Sequence, residues 1–355
     1  MPLPPLVEPV AALSPAESAR TARHAALYPL GEAGQRRLAA AHVAIVGAGG
    51  LGSPAVLALA AAGVGRLTVI DDDRVEASNL QRQVIHRATD VGEPKVESAV
   101  RAARDLAPEC VVTPIAERLT GADAARLLAG ADVVIDGSDG FATRVDVAAA
   151  CEALGVPLVW GVVQEFAAQV TVFWSRPPEG AAPVRLADLY PEGSAGEPPS
   201  CSEVGVLGAL TMQVGSLLAT QAILLIAGIG EPLLGRLALI DGLRGTMREV
   251  ALRAAAPRGT SPAPEPASRP DAPVTYLDVR NPDEWATGVI PGAVLLPLDA
   301  LLAGAAARFD GPVVAVCASG VRSLHAARVL RDRGVDATSL DGGMAAWTGD
   351  VEVRA

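Results

Sequence analysis

The sequence predicts an α/β protein in two parts: a large layered unit around a mainly parallel sheet, and a small α/β unit at its C-terminal end. Three observations predict it. Short apolar runs alternate with helical stretches between about residues 42 and 159. A glycine-rich turn lies between the first apolar run and the helix after it. A proline-rich stretch at residues 254–273 separates two regions of ordinary composition.

The elements follow in order. Residues 1–15 form a proline-rich arm expected to be disordered, with no basic segment leading into an apolar run and so no signal peptide. A helix is expected over residues 16–40, carrying Arg20 and Arg23. Strands are expected at 42–46, 67–70, 111–115, 133–135 and 157–159, and helices at 53–62, 94–106 and 122–128. The large unit thus spans 16–253 and the linker 254–273. The small unit at 274–355 has strands at 275–279 and 313–316 and a helix after Gly320.

Composition excludes several classes. Of the 355 residues, 50% are hydrophobic and 19% charged, which excludes global disorder. A net charge of −11 excludes nucleic acid as the main partner. The four cysteines, Cys110, Cys151, Cys201 and Cys317, are far apart and form no CxxC pair. That excludes a disulfide scaffold and points to a reducing cytoplasm. No charge falls between Glu203 and Glu231, a stretch long enough to span a bilayer. It contains Thr211, Gln213, Ser216, Thr220 and Gln221 and has no Lys or Arg cluster at either end, so a buried helix is expected instead of a membrane span.

The turn Gly47-Ala48-Gly49-Gly50-Leu51-Gly52 follows an apolar run and opens a helix. There glycine lets the backbone approach a phosphate and the helix start offers free N–H groups. Asp71 ends the next strand, where a carboxylate binds a ribose hydroxyl. Alone, this fingerprint suits NAD as well as ATP. The segment Ser78-Asn79-Leu80-Gln81-Arg82-Gln83 and then Lys95 add two cations and several side-chain amides, which suit a triphosphate. Asp136-Gly137-Ser138-Asp139 follows the strand at 133–135 and places carboxylates where open α/β sheets bind ligands and Mg²⁺.

With these motifs together, residues 20–250 resemble the E1-like activating enzymes of the molybdopterin and thiamin pathways, the ThiF/MoeB/HesA family. Ser-Asn-Leu-Gln-Arg-Gln is the most specific match. The resemblance implies a Rossmann-like adenylation domain. It implies that Asp71 binds ribose, that Arg82 and Lys95 bind the phosphates of ATP, and that Asp139 holds Mg²⁺. It also implies that Arg23 reaches the ATP of a second copy across a homodimer interface. The partner implied is a small ubiquitin-like sulfur-carrier protein ending in Gly-Gly. Two departures stand out. Where many members carry two CxxC pairs for zinc, this chain has Pro183-Val184-Arg185-Leu186 and, after Met247-Arg248-Glu249, no cysteine, so no zinc is expected. Gly140 replaces the usual asparagine after Asp139.

The small unit carries Cys317-Ala318-Ser319-Gly320-Val321-Arg322 between an apolar strand and a helix. Loop N–H groups, the helix start and Arg322 are expected to favour a thiolate there. This unit resembles a single-domain rhodanese, through Asp278-Val279-Arg280, Glu284, Trp285, the Cys317 loop, Asp341-Gly342-Gly343 and Trp347. Gly288 and Val289 stand where most rhodaneses have a histidine. Four residues separate Cys317 from Arg322, one fewer than in related phosphatase loops, which implies a persulfide. Cys201, in a proline-rich approach, matches a family cysteine that joins the carrier or resolves an acyl-disulfide. A cysteine desulfurase or thiosulfate is the implied sulfur donor. A 20-residue flexible linker has a root-mean-square span of about 25 Å, which would hold Cys317 at millimolar effective concentration. The rival readings are an NAD-dependent oxidoreductase fused to a rhodanese and a non-catalytic carrier-binding scaffold.

Overall fold

Val43 and Ile45 of the first strand enter one hydrophobic cluster, while Ala44 and Val46 enter another. This period-two division makes the first strand the centre of a sheet covered on both faces. The computed structural model describes residues 3–191, 205–252 and 274–352, apart from positions 287, 303, 306–308, 310, 319–320, 341 and 348. Backbone packing separates them into two compact units, one ending before and one beginning after the proline-rich stretch. That linker lies outside the described residues, as does Cys201.

In the first unit an eight-stranded sheet runs in the order β3-β2-β1-β4-β5-β6-β7-β8. The strands are β1 (His42–Val46), β2 (Arg66–Ile70), β3 (Val111–Ile115), β4 (Val133–Asp136), β5 (Leu158–Gln164), β6 (Ala167–Phe173), β7 (Arg236–Asp241) and β8 (Thr246–Ala251). The first five are mutually parallel. The remaining three are antiparallel, an extension that the alternation of helices and strands did not predict. The β5–β6 hairpin turns at Glu165, a non-glycine residue with φ of 52°. Between β1 and β4 the strand order reverses direction. Open sheets have their ligand crevice at the carboxyl ends of two such strands.

The helices are α1 (Pro15–Ala25), α2 (Gly31–Ala40), α3 (Gly52–Ala62), α4 (Lys95–Leu106), α5 (Ala124–Leu127), α6 (Phe141–Leu154), α7 (Leu186–Leu189) and α8 (Gly208–Ala227). The single helix expected over residues 16–40 is two. Pro29 cannot continue a helix, and Gly31, the first residue of the second segment, takes φ of 63°. The Ser14 hydroxyl caps α1 by accepting from the Glu17 N–H at 3.0 Å. The N-terminal arm, expected to be disordered, packs Leu3, Leu6 and Val7 against the first cluster, and its Val10 N–H donates to the Arg36 carbonyl. Helix α8 alone among the described residues is long and apolar enough to cross a membrane. Leu210, Val214, Leu218, Leu225 and Ile226 on it are buried against the unit's core, each contributing about 2 kcal/mol by burial.

The second unit is a four-stranded parallel sheet ordered β10-β9-β11-β12, from β9 (Thr275–Asp278), β10 (Val294–Leu295), β11 (Val313–Val316) and β12 (Ala337–Ser339). Its helices are α9 (Pro282–Trp285), α10 (Leu298–Leu302) and α11 (Val321–Asp332). Leu277, Val313, Ala315, Ala326, Ala327 and Leu330 form its main core.

Candidate active sites

Strand β1 delivers the chain to Gly47, which takes φ of 89°. Its N–H donates to the Ile70 carbonyl at 2.8 Å, while the Gly137 N–H donates to the Val46 carbonyl at 2.8 Å. These bonds seat the glycine turn between the ends of β2 and β4. A Cβ at Gly52 would lie 1.8 Å from the Gly47 carbonyl oxygen, so only glycine closes this turn. The sheet order therefore brings together two motifs almost ninety residues apart, the glycine turn and the loop from Asp136 to Asp139.

Asp71 closes the turn from the β2 side. Its Oδ2 accepts from the Ala48 N–H at 2.7 Å and its Oδ1 from the Asp73 N–H at 2.9 Å. Burial pushes this carboxyl above its usual range, against the opposing pull of Lys95 and the two N–H donors. Lys95 opens α4, is 6% exposed, and its Nζ donates to Asp73 Oδ2 at 2.7 Å. The neighbouring Asp72 pairs with Arg118 at 3.1 Å, so two cations balance this acidic run. Ser78 is exposed. Asn79 is buried, and its Oδ1 accepts from the Glu76 N–H at 3.1 Å. Leu80 and Arg82 are half-buried, and Arg82 Nη1 donates to the Ser78 carbonyl at 3.1 Å. Gln81 is exposed and its backbone carbonyl braces the start of α8, where a Cβ at Gly208 would approach it to 2.2 Å. Gly49 and Gly50 lie in the turn and are half-buried.

At the end of β4, fully buried Asp136 accepts from both the N–H and the hydroxyl of Ser138, at 2.9 and 2.6 Å. Arg144, 1% exposed, stands 4.0 Å from its other oxygen, with its guanidinium 5.1 Å from the Trp160 ring centre. This buried pair fixes the loop that presents exposed Asp139. Gly140 is the N-cap of α6 and supplies no side-chain cap. Arg23 is exposed on α1. Its neighbour Arg20 donates to the Ala61 carbonyl at the far end of α3 from the glycine turn, a separation of roughly 15 Å along that helix. Within one chain, Arg23 is therefore not gathered with the other residues.

Sequence reasoning missed His86. This imidazole is 8% exposed and its Nε2 lies 3.1 Å from Gln83 Oε1. Burial, then the nearby Lys95 charge, pushes its pKa down to about 4. Unfolded histidine titrates near 6.5. The buried neutral ring therefore contributes stability that is complete above about 6.5 and is lost as pH falls toward 4. The His86 ring resonances in an NMR titration are expected to stay fixed from pH 8 to about 5. A midpoint near 6.5 would contradict this burial.

In the second unit Cys317 follows β11 directly and is 1% exposed. Its Sγ lies 3.4 Å from the Ser323 hydroxyl, which lies 2.8 Å from the Ser339 hydroxyl. Ala318 is half-buried, while Ser319 and Gly320 lie outside the described residues, as does the Val321 side chain. Arg322 forms a two-pronged pair with Glu284, both contacts at 2.6 Å. That pair raises the Arg322 pKa and lowers that of Glu284. The positive potential expected from Arg322 at the sulfur is thus shared with a carboxylate. Below it, buried Arg280 holds Asp278 at 2.7 Å and donates to the Gly288 carbonyl at 2.6 Å, fixing the end of β9. Val289 is fully buried and exchanges backbone bonds with Glu352 at 2.9 and 2.8 Å. Cys151 is buried in the first unit's core. Cys110 is half-buried beside Arg20 and Glu17, and burial raises its thiol to about 11.

A glycine turn at a sheet's switch point and a cysteine loop at the end of a parallel strand define an E1-like nucleotide-binding unit joined to a rhodanese-like unit. The ThiF family model matches residues 21–261 and the rhodanese-like domain model matches residues 266–350. The chain belongs to the ThiF family and carries a rhodanese-like domain. It is 40% identical over 378 residues to the probable adenylyltransferase/sulfurtransferase MoeZ of Mycobacterium tuberculosis, covering 97% of this chain and 96% of that protein. It is 44% identical over 232 residues to a sulfur carrier protein adenylyltransferase of Thermus thermophilus, covering 65% of this chain and 86% of that one. Among solved structures, E. coli MccB with AMPCPP and MccA shares the fold with a TM-score of 0.57 at 22% identity, over 68% of this chain and 73% of that one.

Proposed function

We propose that this chain, an adenylyltransferase and sulfurtransferase, activates the C-terminal glycine of a small ubiquitin-like sulfur-carrier protein with ATP and then places sulfur on it. One observation carries the first half. The glycine turn, the Asp71–Lys95 corner and the Asp139 loop converge at the carboxyl ends of β1, β2 and β4.

In the first step a carrier carboxylate oxygen attacks the α-phosphorus of ATP. The bond from that phosphorus to the bridging oxygen breaks, and pyrophosphate leaves. The turn N–H groups, Arg82 and Lys95 hold the phosphates, and Asp71 orients the ribose. Carboxylate oxygens are the donors that Mg²⁺ prefers, and exposed Asp139 fits a metal that arrives with the nucleotide, where it would offset phosphate charge. Arg23 acts from a second copy in a homodimer.

In the second step Cys317 carries a persulfide taken from a cysteine desulfurase or thiosulfate. Its outer sulfur attacks the acyl carbon of the adenylate and AMP leaves, giving an acyl disulfide. The Cys201 thiolate then attacks Cys317 Sγ and releases the carrier thiocarboxylate. The resulting Cys201–Cys317 disulfide is reset by a dithiol reductant, chemistry suited to a reducing cytoplasm. ATP–pyrophosphate exchange and thiocarboxylate formation, measured against a panel of carriers ending in Gly-Gly, test the reading. No exchange with any of them would overturn it, and carrier binding without AMP would favour the scaffold reading.

Zinc has no place in this reading. Val184 is a core residue paired with Trp174 where the family's first thiolates stand, and β8 carries no cysteine. Elemental analysis of purified protein is expected to find zinc far below one equivalent. A stoichiometric amount would contradict the reading.

A further inference from the structure

We propose that His86 and Gln83 form a positioning pair that aims a carboxamide N–H₂ at the phosphate side of the glycine turn. The inference rests on the adenylation reading and adds two residues to it. Gln83 is 5% exposed, and its Nε2 would lie 3.6 Å from a Cβ built at Gly49, so the amide nitrogen sits against the turn. Its oxygen points the other way, to His86 Nε2 at 3.1 Å. A carboxamide oxygen only accepts, so the imidazole must donate from Nε2. That fixes the tautomer and leaves Nδ1 bare, in keeping with an Nδ1 that is buried without a hydrogen-bond partner. The alternative tautomer would turn the carboxamide over and present an oxygen to the phosphates, which repel it.

The surroundings hold the pair rigid. The Arg101 guanidinium donates to the Ile85 carbonyl at 2.6 Å and pairs with Asp90 at 2.7 Å. Ser98 donates to the same Asp90 oxygen at 3.1 Å. Both Arg101 and Ser98 lie on α4, whose first residue is Lys95. The turn after Gln83 is therefore clamped to the helix that supplies the buried lysine. The charged groups around the imidazole are Lys95, Asp90 and Arg101, and a polar contact with the Ala48 backbone opposes the fall in its pKa. A cation at His86 would face both Lys95 and Arg101, so this site favours a neutral donor, which is what orienting an amide requires.

The test compares Gln83→Leu, His86→Phe and His86→Gln with the parent enzyme. It measures the dissociation constant for ATP by calorimetry, with KM for ATP and kcat from pyrophosphate exchange. The glutamine at 86 places an N–H₂ where Nε2 stood and is expected to bind ATP within about twofold of the parent. Gln83→Leu and His86→Phe are expected to weaken ATP by about tenfold, the scale of one hydrogen bond to a charged group. Their KM for the carrier should stay unchanged. A merely structural role would move thermal stability in all three variants without this rescue. ATP affinity equal to the parent in Gln83→Leu overturns the inference, as does weakening by His86→Gln equal to that by His86→Phe. If His86→Phe does not fold, Gln83→Leu and His86→Gln decide alone. Parent enzyme that binds ATP but never exchanges pyrophosphate would sink the adenylation reading and leave the binding comparison intact.

Discussion

Arg82→Ala and Lys95→Ala are each expected to lose carrier-dependent ATP–pyrophosphate exchange by on the order of a hundredfold or more, with the fold intact. The size follows from placement. Lys95 is buried at the start of α4, beside Asp71 and the glycine turn, where low solvent access would strengthen the proposed action on phosphate charge. Its present partner Asp73 is largely exposed, and Asp71 keeps its two N–H donors, so removing the lysine leaves no buried carboxylate without a partner. Arg82 is half-buried and donates to the nearby Ser78 carbonyl, so its loss leaves the core packing untouched. Exchange rates at saturating carrier, read beside a thermal unfolding midpoint, check both variants. Near-normal exchange in both would remove these side chains from the phosphate site.

Cys317→Ser is expected to abolish carrier thiocarboxylate while leaving adenylation within a fewfold of the parent. A hydroxyl cannot carry a persulfide, and no other described cysteine can replace it. Cys151 lies in the first unit's core and the Cys110 thiol is raised by burial. The Cys317 loop belongs to a separate compact unit, so the nucleotide site should not feel the change. Mass spectrometry of the carrier after incubation with ATP and a persulfide donor distinguishes carboxylate from thiocarboxylate. Thiocarboxylate formed at the parent rate would make the rhodanese-like unit a bystander.

The parts of the fold that were legible in the sequence are those whose chemistry is local. The glycine turn, the strands on either side of it and the helix at its end are written in adjacent residues, and the structure places them within a residue or two of expectation. The antiparallel strands β6 to β8 were not read. Their pairing is set by hairpins and by α8 between β6 and β7, and β8 is exposed along its length, so no buried alternation marks it. Asp136 and Arg144 lie on either side of the Asp139 loop in sequence. Their burial as a pair over Trp160 comes from β5, which no spacing reveals. His86 is a lone histidine in a loop, with nothing beside it in sequence to announce Gln83 or the clamp on α4. In the small unit the Cys317 loop was legible, whereas the Glu284 partner of Arg322 is joined to it only through the fold.

Residues 1–15 are expected from sequence to be a disordered arm, yet Leu3, Leu6 and Val7 lie on the main apolar cluster, and Pro5 sits so close to Gly228 that a Cβ there would approach it to 2.5 Å. Whoever trims this chain for expression at the first predicted helix strips a greasy strap from the end of α8 and leaves a sticky scar on the adenylation unit. Affinity handles belong ahead of the strap, not in place of it.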